Sequence, residues 1–373
     1  MMRSQFAGLL LISILIFSCS GESTYTIEEL DGVRYVHNLA PLWGDEERIS
    51  LEFIRKIGEL EGENENYMLY NPRDVAVDGL GNIFILDAGA YRIMKYDSEG
   101  KYITTIGRRG QGPGELDNAW GLDIDSNNML YISGNYSKIL NVFDNNGKFI
   151  KRIRGEFRAS FINKMNNGNF VSYFSVMDPK NYETAPLIQI FNADGEVIKE
   201  FEKRRIYEEM NMKWQGNTIS IITDSKDNIY TSYYYQNKIV KYDSDGKKLM
   251  VVSRELPYPE SETFEMKSYQ KDGEVKHYRK VNHVSMGIGI DNKERIWVPR
   301  QKRELTEEEL KNDGRTPDNN LLFEVYDPDG ILLGHAECEL PQRVYATRVF
   351  NDRIFLIDCY EEMAVFEYRI VEK

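Results

Sequence analysis

The sequence predicts an all-β fold: a six-bladed β-propeller of four-stranded antiparallel blades, with the last blade closed by an N-terminal strand. Three observations lead there. One segment repeats at a constant offset. The residues within it are those of strands and tight turns. The final repeat stops one strand short, while a spare strand-like segment lies near the N-terminus.

The repeat is clearest between the segments starting at Asp74 and Gly121. Asp78 pairs with Asp125, Phe84 with Tyr131, Asp97 with Asp144 and Gly100 with Gly147, all 47 residues apart. A fixed period of this size is the mark of a repeat architecture. Each unit has the same grammar. A short apolar strand ends at Asp or Asn, and a turn rich in Asp, Gly and Asn tolerates positive φ. A β-branched and aromatic strand follows, such as Ile83-Phe84-Ile85-Leu86. A third alternating strand then leads through an Asp-x-x-Gly hairpin turn into a fourth. The 24 Tyr and 17 Phe of the 373 residues suit strands better than helices.

Four more units follow with greater divergence. They hold NGNFVSYF with LIQIFNADGEVIKEF, then ISIITDSKDNIYTSYYYQNKIVKYDSDGKKLMVV, then GIGIDNKERIWVPR with LLFEVYDPDGILLGHAE, and last ATRVFNDRIFLIDCYEEMAVFEYRIVEK. The last supplies three strands. The segment Ile49 to Leu60, around Glu52-Phe53-Ile54, can add the fourth. A ring closed this way leaves no open edge for aggregation. A seven-bladed ring and a two-domain sandwich are the alternatives.

Residues 50–150 carry a family resemblance. YNPRDVAVDGLGNIFILDAGAYRIMKYDSEGKYITTIGRRGQGPGEL resembles an NHL-type repeat, glycine-rich linker included. The chain as a whole is similar to the NHL-like and TolB-like six-bladed propeller lipoproteins of Bacteroidetes. The resemblance is strong over 50–150, moderate over 219–252 and 284–373, and weak over 155–215. It implies the fold and names no reaction.

The N-terminus reads as an export signal over residues 1–18. Arg3 precedes an apolar run, Leu9 to Phe17, too short to span a bilayer. Ile16-Phe17-Ser18-Cys19 is similar to a bacterial lipobox, which makes Cys19 the lipidated residue. An ordinary secretory signal is the alternative. Residues 19–45 are expected to be a tether and 46–373 the propeller domain. The expected location is the cell envelope, anchored by lipid, with the outer membrane favoured. Cys338 and Cys359 lack metal-ligand spacing and are read as buried thiols, although export would permit a bond between them.

A formal charge of −13 argues against nucleic acid as a partner. Short basic runs such as Lys203-Arg204-Arg205 are read as solvated loop charge. In a propeller the turns between strands one and two, and three and four, share one face. Here they are short. The opposite connections are long: Arg108 to Trp120, Val176 to Pro186, Lys203 to Gly216, Leu256 to His283 and Arg300 to Asn320. Loops on a rigid scaffold carry function, although any surface also tolerates insertion. Thr306 to Leu310 and Tyr207 to Trp214 are expected to be helical, a rim or lid over the channel mouth.

No motif specifies a reaction. There is no GxSxG or SxxK, and GRRGQGPGEL lacks the strand-to-helix context of a phosphate loop. His277 and His283 lie in one insertion and are read as incidental, with no zinc cluster and no cofactor expected. Asp123 and Asp125 alternate on a strand and point to the same side; one or both are expected to tie turns through backbone N–H groups, with an acid–base pair or calcium coordination as the alternative. Candidate ligand-binding residues on the long-loop face are Asp87, Tyr91, Trp120, Tyr136, Trp214, Tyr234, Arg300, Asp358 and Tyr360. Aromatic platforms beside charges suit a glycan, peptide or protein ligand. The reading is a monomeric envelope binding module. The alternative is an envelope hydrolase or lyase acting on a polysaccharide or peptide, with Asp87, Asp123 and Asp358 as its acids.

Overall fold

The computed structural model describes residues 23–135, 137–174, 182–271, 273–311, 320–338 and 344–373. The signal segment, Cys19, Tyr136 and parts of the long loops after strands Phe170–Phe174 and Ile296–Gln301 lie outside the described residues. The fold is all-β and propeller-type, built of consecutive antiparallel sheets.

The first sheet pairs Pro72–Val77, Ile83–Asp87, Arg92–Tyr96 and Tyr102–Ile106 in sequence order. Two further four-stranded units merge into a seven-stranded sheet from Ala119–Ile124 to Val197–Phe201. Their shared member is the strand Phe149–Lys164. Its first half pairs with Ser137–Phe143 and its second half with Phe170–Phe174. The next sheets run from Ile219–Thr223 to Lys248–Arg254 and from Gly289–Ile290 to Leu332–Ala336. The last holds Ala346–Phe350, Arg353–Asp358 and Ala364–Glu372, with Ile49–Ile57 antiparallel to Ala364–Glu372 as its fourth strand.

The turn chemistry accounts for the repeat. Asp78, Asp97, Asp125, Asp144, Asp224, Asp243, Asp291 and Asp327 each accept N–H groups from residues two and four positions on, through one carboxylate oxygen. Asn192 does the same through its amide oxygen. The carboxylate replaces ladder partners that the tight turn cannot offer. Asp125 is one of these turn ties, as expected.

Apolar residues fill the gaps between neighbouring sheets. Ala76, Phe84 and Leu86 of the first sheet pack with Leu122, Leu130 and Ile132 of the next. The series continues through clusters around Phe157 and Phe170, Ile190 and Ile221, Tyr230 and Val298, and Trp297 and Leu356. Phe355, Ile357 and Val365 of the last sheet pack with Val75, Ile83 and Ile85 of the first.

The tether expected over 19–45 contains ordered structure. Tyr25–Leu30 and Val33–Asn38 form a hairpin. Its second strand adds in parallel to Lys248–Arg254. The chain then crosses to the next sheet, where the N–H groups of Leu42 and Trp43 donate to the carbonyls of Leu332 and Leu333. Asn38, 1% exposed, donates to the Gly330 carbonyl and accepts from the Leu332 N–H. Residues 25–57 therefore bind the outer edges of three consecutive sheets. The hairpin covers an edge that would otherwise present unpaired backbone groups.

The insertions carry the expected helices, displaced by a residue or more. Glu307–Lys311 opens with a capping box, Thr306 accepting from the Glu309 N–H and the Glu309 carboxylate accepting from the Thr306 N–H. Met210–Gln215 is capped by Glu209. The large insertion also forms an unforeseen hairpin, Glu265–Lys271 with Glu274–Lys280. Tyr269 of this hairpin donates to the Lys311 carbonyl, which joins it to the helix. Cys338 and Cys359 are not joined by a disulfide, and burial pushes the Cys338 thiol up to about 12.

Candidate functional site

The connections after second and fourth strands converge on a cavity of about 610 Å³. Asn135, Tyr182, Tyr234, Tyr235 and Tyr360 come to it after second strands. Arg204, Trp214, His283 and Tyr345 come from connections that lead into first strands. Phe161, Ser220 and Arg348 reach it from strands themselves. The cavity thus opens on the long-loop face that the sequence singles out.

Four of the expected site residues line it: Trp120, Trp214, Tyr234 and Tyr360. Trp214 and Tyr360 are 36% and 47% exposed, so both stand at the solvent side of the site. Tyr234 is held between Tyr235 and His283, and burial raises its hydroxyl's pKa. Tyr182 packs against Trp214 with ring centres 5.6 Å apart.

Asp87, Arg300 and Asp358 are not among its walls. Asp87 is fully buried and accepts from the N–H groups of Tyr70 and Asn71 and from Arg92. Asp87 thereby pins the segment that leads into the first strand of its sheet. Asp358 instead folds the loop after its own strand, accepting from the N–H groups of Tyr360, Glu361 and Glu362. Arg300 is buried in an ion pair with Glu324, which also pairs with Arg254 at 2.8 Å. Tyr91 takes a left-handed conformation, with Arg109 over its ring. The acids Asp87, Asp123 and Asp358 therefore act separately, each on backbone N–H groups.

Sequence reasoning passed over the groups that give the cavity its charge. Arg348 lies over the Phe161 ring and binds Asp74 with Nε and Nη2 at 2.7 and 3.0 Å. Asp74 also accepts from the N–H groups of Val75 and Leu122, tying neighbouring sheets. Asp123, close enough to Arg348 to feel its charge, accepts from the N–H groups of Ile124 and Lys164. Burial pushes its carboxyl up to about 7, against these N–H groups and Arg348. The available signal was charge within the first strands: Arg73 and Asp74 in PRDVAV, Asp123 in AWGLDI and Arg348 in ATRVF. Arg204, read as loop charge, is 6% exposed and lies over the rings of Tyr173 and Tyr182.

His283 is drawn into the wall beside Tyr235, whereas His277 bonds to Ser268 on the exposed hairpin. Burial holds His283 down to about 4, so its ring is neutral at physiological pH. Among the described residues the ring has no hydrogen-bond partner, so it can donate from one nitrogen and accept at the other. Among the described residues, no three His, Cys, Asp or Glu side chains group as metal ligands.

The glycine-rich linker forms a second, smaller cavity of about 380 Å³. Arg152 reaches across to the carbonyls of Gln111 and Gly112. Gly107, Gly110 and Gly114 all have positive φ, which fits the reading of GRRGQGPGEL as a backbone-driven linker.

Three solved structures from Bacteroides resemble this arrangement. A member of the DUF4221 family from Bacteroides vulgatus has a TM-score of 0.58 at 11% identity, covering 87% of this chain and 99% of that one. A protein of Bacteroides fragilis designated as exported has a TM-score of 0.55 at 10% identity, covering 91% and 99%. A protein of unknown function from Bacteroides thetaiotaomicron has a TM-score of 0.52 at 12% identity, covering 93% and 82%. At such identities the likeness is one of fold. No curated protein matches the sequence. A family model described as "Domain of unknown function (DUF4934)" matches residues 63–298, and the chain belongs to that family.

Proposed function

We propose that this chain is a six-bladed propeller that binds a ligand in its loop-face cavity while held at the bacterial cell envelope. The succession of core clusters, with the last sheet against the first, supports a closed ring. The pairing of Ile49–Ile57 with Ala364–Glu372 supports closure by an N-terminal strand. The apolar run Leu9 to Phe17 before Cys19 supports export and lipid anchoring. The Thr24 carbonyl, five residues after Cys19, already accepts from the N–H groups of Leu39 and Ala40, so the fold starts close to the proposed anchor. Such a protein would ride close to the membrane.

The observation that carries the binding reading is the wall itself. Aromatic rings from several sheets surround one cavity, interspersed with Asn135, Gln215, Thr218 and Ser220. Rings with a few placed polar groups are what an amphipathic ligand needs. Trp120, Trp214, Tyr234 and Tyr360 are the proposed contacts, joined by Tyr182, Arg204, His283 and Arg348. Asp87 and Asp358 act by shaping the loops.

The test is a panel of envelope glycans and peptides against the exported chain and a Trp214→Ala/Tyr360→Ala variant. Both rings are partly exposed, so the variant should melt with the parent. Loss of binding at unchanged melting temperature supports the cavity. Binding that survives both substitutions sinks it.

A further inference from the structure

Charge around the cavity runs against the charge of the chain. The sequence holds 60 acidic and 47 basic residues. Yet the lining includes Arg204 and Arg348, and among the described residues no Asp or Glu. A third guanidinium, Arg73, stacks against the wall, 4.5 Å from the ring centre of Trp120 and 4.7 Å from that of Tyr345. The carboxylates beside Arg348 are committed elsewhere. Asp74 and Asp123 each accept from two backbone N–H groups, and Asp74 also holds Nε and Nη2 of Arg348. Among the described residues, Nη1 of Arg348 has no hydrogen-bond partner.

We propose that the cavity selects a ligand whose ring carries a carboxylate. This rests on the cavity being the binding site. The ring's flat face would lie on Trp214, Tyr182 or Tyr345, and the carboxylate would accept from Arg204 and from Nη1 of Arg348. Guanidinium and carboxylate match in geometry, and the low-dielectric wall strengthens the bond. His283 would supply a neutral donor for a second oxygen. An acidic sugar and an aromatic acid share this chemistry.

The experiment measures affinity by calorimetry for two matched pairs: digalacturonate against galactobiose, and N-acetylphenylalanine against its amide. At least one carboxylate should bind tenfold or more tightly than its uncharged partner, as charge-assisted hydrogen bonds do. The pair that shows the gap identifies the source. The preference should shrink as salt rises from 20 to 300 mM. It should vanish in Arg204→Gln and persist in part in Arg204→Lys. If Arg204→Gln does not fold, Arg348→Lys, which keeps the charge and moves the donors, should lower the preference instead. Equal affinity within both pairs overturns the carboxylate inference and leaves the cavity as a binding site. Failure of all four compounds to bind also overturns it, while the Trp214→Ala/Tyr360→Ala panel decides independently whether the cavity binds at all.

Discussion

Replacing Asp123 by Asn should change how stability depends on pH, in a direction that burial dictates. The folded carboxyl stands at about 7 against an ordinary 3.8. A group whose pKa rises on folding stabilises the protein below its unfolded pKa, and that stability is lost as pH rises through the folded pKa. A rise of this size corresponds to roughly 4 kcal/mol lost between pH 4 and pH 7. Asn mimics the neutral acid permanently. It also sets an amide N–H₂ against one of the two backbone donors, from Ile124 or Lys164, at a cost of about 1 kcal/mol. Asp123→Asn should therefore be slightly less stable than the parent at pH 4.5. It should gain on the parent steadily to pH 8 and end about 2–3 kcal/mol ahead. Urea unfolding followed by tryptophan fluorescence at half-unit pH steps reads this difference. Other titrating groups cancel between the two proteins. A difference that stays constant with pH, or one that moves against the variant as pH rises, refutes the argument.

Three further outcomes follow from the same structure. His283 has the opposite sign: its folded pKa is held down to about 4, so stability present above 6.5 is lost as pH falls. His283→Phe should gain up to about 3 kcal/mol on the parent between pH 6.5 and 4, read in the same urea series; a flat difference counts against it. Asn38→Ala should cost about 2 kcal/mol by leaving the Gly330 carbonyl and Leu332 N–H unpaired in the core. A shift in melting temperature indistinguishable from zero would show that the N-terminal strap contributes nothing. Glu324→Leu should cost about 3–5 kcal/mol, since it leaves Arg254 and Arg300 buried without their shared carboxylate. Chemical denaturation measures it, and a neutral result would mean the two guanidiniums reach water.

The repeat and its turns were legible because they are local. An Asp side chain that must meet N–H groups two and four residues on leaves the same trace wherever the turn recurs, as at Asp97 and Asp144. The strand added to the last sheet was legible for a related reason, since the last unit lacked a fourth strand and the segment Ile49–Ile57 offers Ile49, Leu51 and Ile57 for burial. The helix at Glu307–Lys311 announced itself through its capping box. The side of the fold that bears the cavity was also legible, because loop length alone sorts the connections.

Which side chains line that cavity was decided only by the tertiary structure. Asp87 and Asp358 stand at loop starts, where sequence spacing cannot say whether a carboxylate faces a ligand or its own backbone; the fold turned both inward. Arg204 resembled surface charge until the Tyr173 and Tyr182 rings closed over it. Arg348 and Asp74 are 274 residues apart, and their ion pair exists only because the first and last sheets meet. The hairpin of residues 25–38 carried a local signal in its Asp31-Gly32 turn, where both residues have positive φ; its parallel pairing with the distant strand Lys248–Arg254 left no local trace. Short-range hydrogen bonding wrote the scaffold into the sequence. The site depends on contacts between repeats, and no periodicity records those.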